Sequence, residues 1–170
     1  MTYQPLPALK IEQVDVERPR DTDIDFINLI GERTKLLDNL WLGGYPDTKL
    51  EPEIKYSVCL VGQPRYYLGS GQKLIATHFD DCPELPNLDF LHGIAELVNR
   101  LRKSGPVLVH CAMGLNRSAL VVGLALIKDG WEPEDAVQLM RSKRALEVLH
   151  NKVFLSYLLN QAKQDNEARE

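Results

Sequence analysis

Short apolar runs alternating with segments of helical period predict an α/β fold, a sheet layered between helices. Three observations lead there. Leu40–Leu42, Tyr56–Val61 and Val107–His110 are brief apolar runs, each with Gly or Pro beside it, as strands are. Leu88, Leu91, Ala95, Val98 and Leu101 recur at the spacing of one helix face and are stopped by Gly105-Pro106. A chain of 170 residues also fits one domain with enough interior for a real core.

The elements follow in order. Residues 1–20, with Pro5, Pro7 and Pro19, read as an extended N-terminal segment over the surface or a mobile one. Asp21 to Ile30 mixes acids with Ile24, Phe26, Ile27, Leu29 and Ile30 in neither period, and its secondary structure stays open. Leu40-Trp41-Leu42 is a strand closed by Gly43-Gly44, with Trp41 a core aromatic. Tyr56–Val61 is a strand ended by Gly62 and Pro64, and Leu74–Phe79 another that runs into Asp80-Asp81-Cys82-Pro83. A helix starts at Leu88. After Asp129-Gly130, the acids around Pro133 suit the first turn of a helix carrying Ala136, Val137, Leu139 and Met140. A last helix runs from Asn151 to about Gln164 with Val153, Phe154, Tyr157 and Leu158 inward, and 165–170 is a frayed tail.

The chemistry concentrates in Val107–Ser118. The strand ends at His110, and Ser118 leads into the apolar run Ala119–Ile127, too short to span a bilayer and suited to a buried helix. Cys111 to Arg117 is therefore a tight loop at a helix N-terminus, where converging amides and the helix dipole favour an anion such as a phosphate dianion. The amides of Ala112, Met113, Gly114, Leu115, Asn116 and Arg117 would cradle it, and the Arg117 guanidinium would fork two donors onto its oxygens. The same field, with His110 beside it, should hold Cys111 as a thiolate, a nucleophile below the phosphorus.

His110-Cys111, two residues, Gly114, two residues, Arg117-Ser118 resembles the signature of the cysteine-dependent protein tyrosine phosphatases, and the chain's size is most similar to the dual-specificity branch. Leu40-Trp41-Leu42-Gly43 resembles the stretch that opens many of those domains. The resemblance implies a single-domain protein tyrosine phosphatase-like fold with a central mixed sheet flanked by helices, its catalytic domain spanning residues 21–164. It implies phosphate monoester hydrolysis through a phosphocysteine, without cofactor or metal. Cys111 and Arg117 take the roles given above, and Ser118 matches the hydroxyl that eases departure of the sulfur, although a helix cap is an equally ordinary use of Ser. Asp81 matches the general acid on the leaving oxygen, with Asp80 open as the alternative. His110 matches a residue that orients the loop. Arg144 and Asn151 stand where relatives carry an Arg and an Asn, and are taken as packing or solvated residues. Cys59 is read as an inert strand thiol, and Cys82, beside the acid, as the better redox partner.

Composition narrows the partners. A net charge of −4 gives no general nucleic-acid surface and no reason to expect an anionic membrane. Three cysteines leave one unpaired in any disulfide scheme, no pair has metal-ligand spacing, and the N-terminus has no signal-peptide pattern, so a cytoplasmic, monomeric enzyme is the default. The loop interior carries no cation except Arg117, which favours a phosphorylated protein or peptide over a polyphosphoinositide. Asn116 is similar to the loop of RNA 5′-triphosphatase relatives, so that activity or a carbohydrate phosphatase is the alternative. A non-catalytic phosphate-binding module is the alternative of another class.

Overall fold

The computed structural model describes residues 32–161. The N-terminal segment 1–20, the open stretch Asp21–Ile30, the domain limits at 21 and 164 and the tail 165–170 lie outside the described residues. Within them are five strands, β1 (Arg33–Leu37), β2 (Leu40–Gly43), β3 (Tyr56–Cys59), β4 (Lys73–Ala76) and β5 (Val107–His110). Four helices follow or intervene, α1 (Leu88–Arg102), α2 (Arg117–Lys128), α3 (Pro133–Lys143) and α4 (Lys152–Leu159). The sheet order is β1-β2-β5-β3-β4, and only the β1–β2 pair is antiparallel. The result is the α/β fold with a mixed sheet that the alternation of elements predicts.

β1 is absent from the sequence reading. Its Arg-Thr-Lys-Leu-Leu alternates little and carries two cations, but Asp38-Asn39 makes a tight turn, with Asn39 at φ 60°, that pairs β1 back on β2. Two strands are shorter than expected. β3 stops at Cys59, and the chain turns at Gly62 (φ 87°), so Val61 keeps only an isolated bridge to His78. β4 stops at Ala76 for the same reason.

β5 lies between β2 and β3 and is buried along its whole length. Its alternation sorts the interior. Val107 and Val109 join Leu40, Leu42 and Val58 in the main core, against Leu91, Ala95 and Val98 of α1 and the nearly continuous buried run Ser118–Leu126 of α2. Leu108 faces the other way, into a smaller cluster with Leu50, Ile54 and Tyr66 that Trp41 and Tyr45 edge. Among the described residues the helices form one layer, and irregular segments rather than helices cover the second face. α2 crosses α4 so closely that a Cβ on Gly123 would meet Leu158 Cδ1 at 2.7 Å. Phe154 on α4 is fully buried, so truncating it to Ala would cost about 3–5 kcal/mol. Leu88 departs from its expected place: it lies at the exposed first position of α1.

Candidate active site

Parallel β2, β5 and β3 end at one edge of the sheet, and the chain from Cys111 to Asn116 loops there before α2 begins at Arg117. The loop rests on the end of β2. Gly114 has φ 69°, and a Cβ there would collide with the Gly43 carbonyl and lie 2.7 Å from Gly44 N. Only glycine fits both the backbone conformation and the clearance. Tyr45 N donates to Ala112 O (3.0 Å), fixing the loop's first residue to the same turn.

The Cys111 thiol is buried at the loop's centre, 3.3 Å from Ser118 Oγ, and accepts from Gly114 N at 3.3 Å. Burial alone would push the thiol up. The side chain and backbone of Ser118, the Arg117 guanidinium and the Gly114 amide outweigh it and hold the thiol below the ordinary cysteine range. Ser118 therefore touches sulfur from within the first turn of α2. The cap position belongs to Asn116, so the capping alternative for Ser118 does not hold. Arg117 Nη1 donates to Phe79 O at 3.5 Å, and its Nε is buried with no partner among the described residues, leaving a guanidinium donor unengaged beside the sulfur.

His110 departs from expectation. Burial lowers its pKa to about 4, so it is neutral and adds no charge to the field on Cys111. It acts through geometry instead. Nδ1 lies 3.3 Å from Cys111 O, and Nε2 lies 2.9 Å from Tyr66 Oη, which in turn sits 2.6 Å from Ser57 Oγ. With Nδ1 donating to a carbonyl, Nε2 must accept from Tyr66 and Ser57 must donate to Tyr66. Neither Tyr66 nor Ser57 was legible as a site residue: they come from separate segments and match no spacing.

Arg144 and Asn151 are likewise not bystanders. Arg144 Nε donates to Gly114 O and Nη2 to Met113 O, both at 2.8 Å, while Nη1 reaches Thr34 Oγ1 at 3.2 Å. Holding two loop carbonyls outward leaves the loop's amides free to converge inward. Asn151 caps α4 through Oδ1 and spans back to the acid loop, where its Nδ2 donates to Asp81 Oδ1 and Cys82 O, both at 2.9 Å. Asn116 Nδ2 donates to Asp81 Oδ2 at 2.9 Å. Asp81 is thus tied to the signature loop, while Asp80 is engaged with His78 Nε2 at 3.0 Å on the exposed side.

The other thiols differ in place. Burial, and less strongly the charge of Cys111, push Cys59 up, and its thiol donates to Gly62 O at 3.4 Å. Cys82 makes only a loose contact to Glu84 O at 3.9 Å. Among the described residues no group of three or more His, Cys, Asp or Glu is placed to hold a metal ion, and no helix is long and apolar enough to cross a membrane.

A family model described as the catalytic domain of dual specificity phosphatases matches residues 40–164. Protein tyrosine phosphatase type IVA 2 of Mus musculus is 55% identical over 68 residues, 39% of this chain and 41% of that protein. Type IVA 3 of Homo sapiens is 53% identical over 38 residues, 22% of each. The chain therefore matches about two fifths or less of the length of these relatives. Among solved structures, human DUSP28 superposes with a TM-score of 0.62 at 20% identity, over 81% of this chain and 99% of that one. The human tyrosine phosphatase-like serine/threonine/tyrosine-interacting protein gives 0.62 at 21%, over 81% and 97%. At those identities the likeness is one of fold.

Proposed function

The chain belongs to the dual specificity phosphatase catalytic-domain family, and on that premise we propose that it hydrolyses phosphate monoesters of proteins through a phosphocysteine intermediate. The observation that carries this is the buried Cys111 sulfur, its thiol held below the ordinary cysteine range, between Gly114 N and Ser118 Oγ with Arg117 at the start of α2. The thiolate attacks phosphorus as the bond to the leaving oxygen breaks, and Asp81 supplies the proton that oxygen takes up. Loop amides and the Arg117 fork stabilise the charge on the three other oxygens. Water then attacks the phosphocysteine and gives its proton to Asp81. The P–S bond breaks, with Ser118 donating to the departing sulfur, and inorganic phosphate leaves.

Asp81 is preferred to Asp80 because it is held against the signature loop, whereas Asp80 is engaged with His78. The loop side chains support a phosphoprotein over a polyphosphoinositide: Ala112 is exposed and Met113 half-buried, and neither offers a cation for extra phosphates. The Asn116 amide, the point of similarity to RNA triphosphatases, is engaged inside the protein with Asp81 and His150. A monomeric enzyme free of the membrane remains our reading.

Hydrolysis of para-nitrophenyl phosphate without added metal tests the proposal. Cys111→Ser should abolish turnover, and activity within about tenfold of wild type would remove covalent catalysis. Asp81→Asn should slow alkyl phosphates about a hundredfold or more relative to activated aryl phosphates, since only poor leaving groups need the proton. The same dependence in Asp80→Asn alone would move the acid by one residue.

A further inference from the structure

Asn116 is a buried amide in the signature loop, 3% exposed. Its Nδ2 has two protons. One points to Asp81 Oδ2 (2.9 Å) and the other to His150 Nε2 (2.8 Å), while Oδ1 accepts from Asn151 N at 3.0 Å. Turning the amide over would set its oxygen against the Asp81 carboxyl and its protons against the Asn151 N–H, so these two partners fix one orientation. Because Nδ2 only donates, His150 Nε2 is the acceptor and the ring proton lies on Nδ1, 3.2 Å from Glu147 O. Segments around 81, 116 and 150 thus meet at a single amide.

Asp81 is itself exposed, and a free surface carboxyl spreads over several rotamers. A proton donor counts only when it is held within reach of the leaving oxygen. Both Asp81 oxygens are held here, Oδ2 by Asn116 and Oδ1 by Asn151, and each keeps a further lone pair able to carry the proton. We propose that Asn116 and His150 are positioning residues for the acid: His150 fixes the plane of the Asn116 amide, and that amide aims Asp81 at the leaving oxygen. This rests on the reading of Asp81 as the proton donor. It makes turnover of alkyl esters, such as phosphoserine and phosphothreonine, depend on side chains that never touch the substrate's leaving group.

The measurement is the ratio of kcat/KM for an alkyl phosphate to that for an activated aryl phosphate, with thermal unfolding of each variant as a check on folding. Asn116→Ala should lower the ratio about tenfold or more, and His150→Ala about threefold. In His150→Gln, whose Oε1 can accept from Asn116, the ratio should return to within about twofold of wild type. Asn116→Ala added to Asp81→Asn should lower it no further, because both remove the same proton transfer. If Asn116→Ala slows both esters equally, the residue only shapes the loop and the proposal is overturned. Should that variant fail to fold, the exposed His150 decides: an unchanged ratio in His150→Ala overturns the pair. An unchanged ratio in Asp81→Asn would instead bring down the acid assignment itself, and the positioning role with it.

Discussion

Acidification should weaken this fold through His110 more than its number of titrating groups suggests. The ring is fully buried, and burial takes its pKa to about 4. In the unfolded chain it titrates near 6.5. Between those values the unfolded chain holds a proton that the folded chain refuses, so stability is complete above about pH 6.5 and is lost as pH falls towards about 4. The gap of about 2.5 pH units corresponds to about 3 kcal/mol in all, of which about 2 kcal/mol falls between pH 7 and pH 5. Urea unfolding of wild type and His110→Gln at those two pH values measures it, with the slope against urea used to confirm that the same transition is compared. Wild type should lose about 2 kcal/mol more than the variant on going from pH 7 to pH 5. His92, which burial also lowers, is common to both proteins and cancels. Equal losses in the two proteins would mean that His110 admits a proton in the folded state, and the neutral-ring account of the Ser57–Tyr66–His110 chain would fall with it.

Other consequences concern the loop. Ser118→Ala removes the hydroxyl that lowers the Cys111 thiol and keeps the backbone N–H, so the acidic limb of the kcat/KM profile should move to higher pH; a limb that stays put would mean the Ser118 hydroxyl does not act on the sulfur. Gly114→Ala places a methyl group against the Gly43–Gly44 turn at a positive φ, and should lower stability by about 2 kcal/mol or more and abolish turnover, read by urea unfolding and aryl phosphate hydrolysis. Arg144→Met keeps the apolar stem of the side chain but takes its donors from the Met113 and Gly114 carbonyls, at about 1–3 kcal/mol each. Its phosphate affinity, measured as inhibition by inorganic phosphate, should weaken about tenfold or more as the amides lose their convergence. Unchanged inhibition would show that the loop holds its shape without that clamp.

The parts of the site that the sequence made legible are those whose chemistry is local. Cys111, Gly114, Arg117 and Ser118 lie within eight positions, and a strand, a turn and a helix start are enough to bring them together. What stayed hidden depends on where distant segments land. Arg144 and Asn151 looked like surface residues because nothing near them in the chain needs a cation or an amide; their partners lie 30 and 70 positions away. His110 shows a different limit. Its position beside Cys111 suggested charge, but its charge state depends on burial, which adjacency does not reveal. β1 was lost for a third reason: five residues of weak alternation carry little periodic signal, and the Asp38-Asn39 turn was the better clue.

The Arg144 clamp also bears on how the protein is made. It joins Thr34, within β1, to Gly114 in the loop, a separation of 110 positions for the Thr34 bond. During synthesis from the N-terminus, β5 and Cys111 are made before the arginine that braces their loop, and the Asn151 tie to Asp81 comes later still. The sheet's parallel pairs also require closure of long stretches of chain before they form. A chain that has not yet reached Arg144 therefore carries Cys111 in a loop without its brace, and the Met113 and Gly114 carbonyls are secured only when the end of α3 docks. A chain truncated before Arg144 should bind a phosphate mimic such as vanadate more weakly than the full chain, even though it contains the sequence of all five strands.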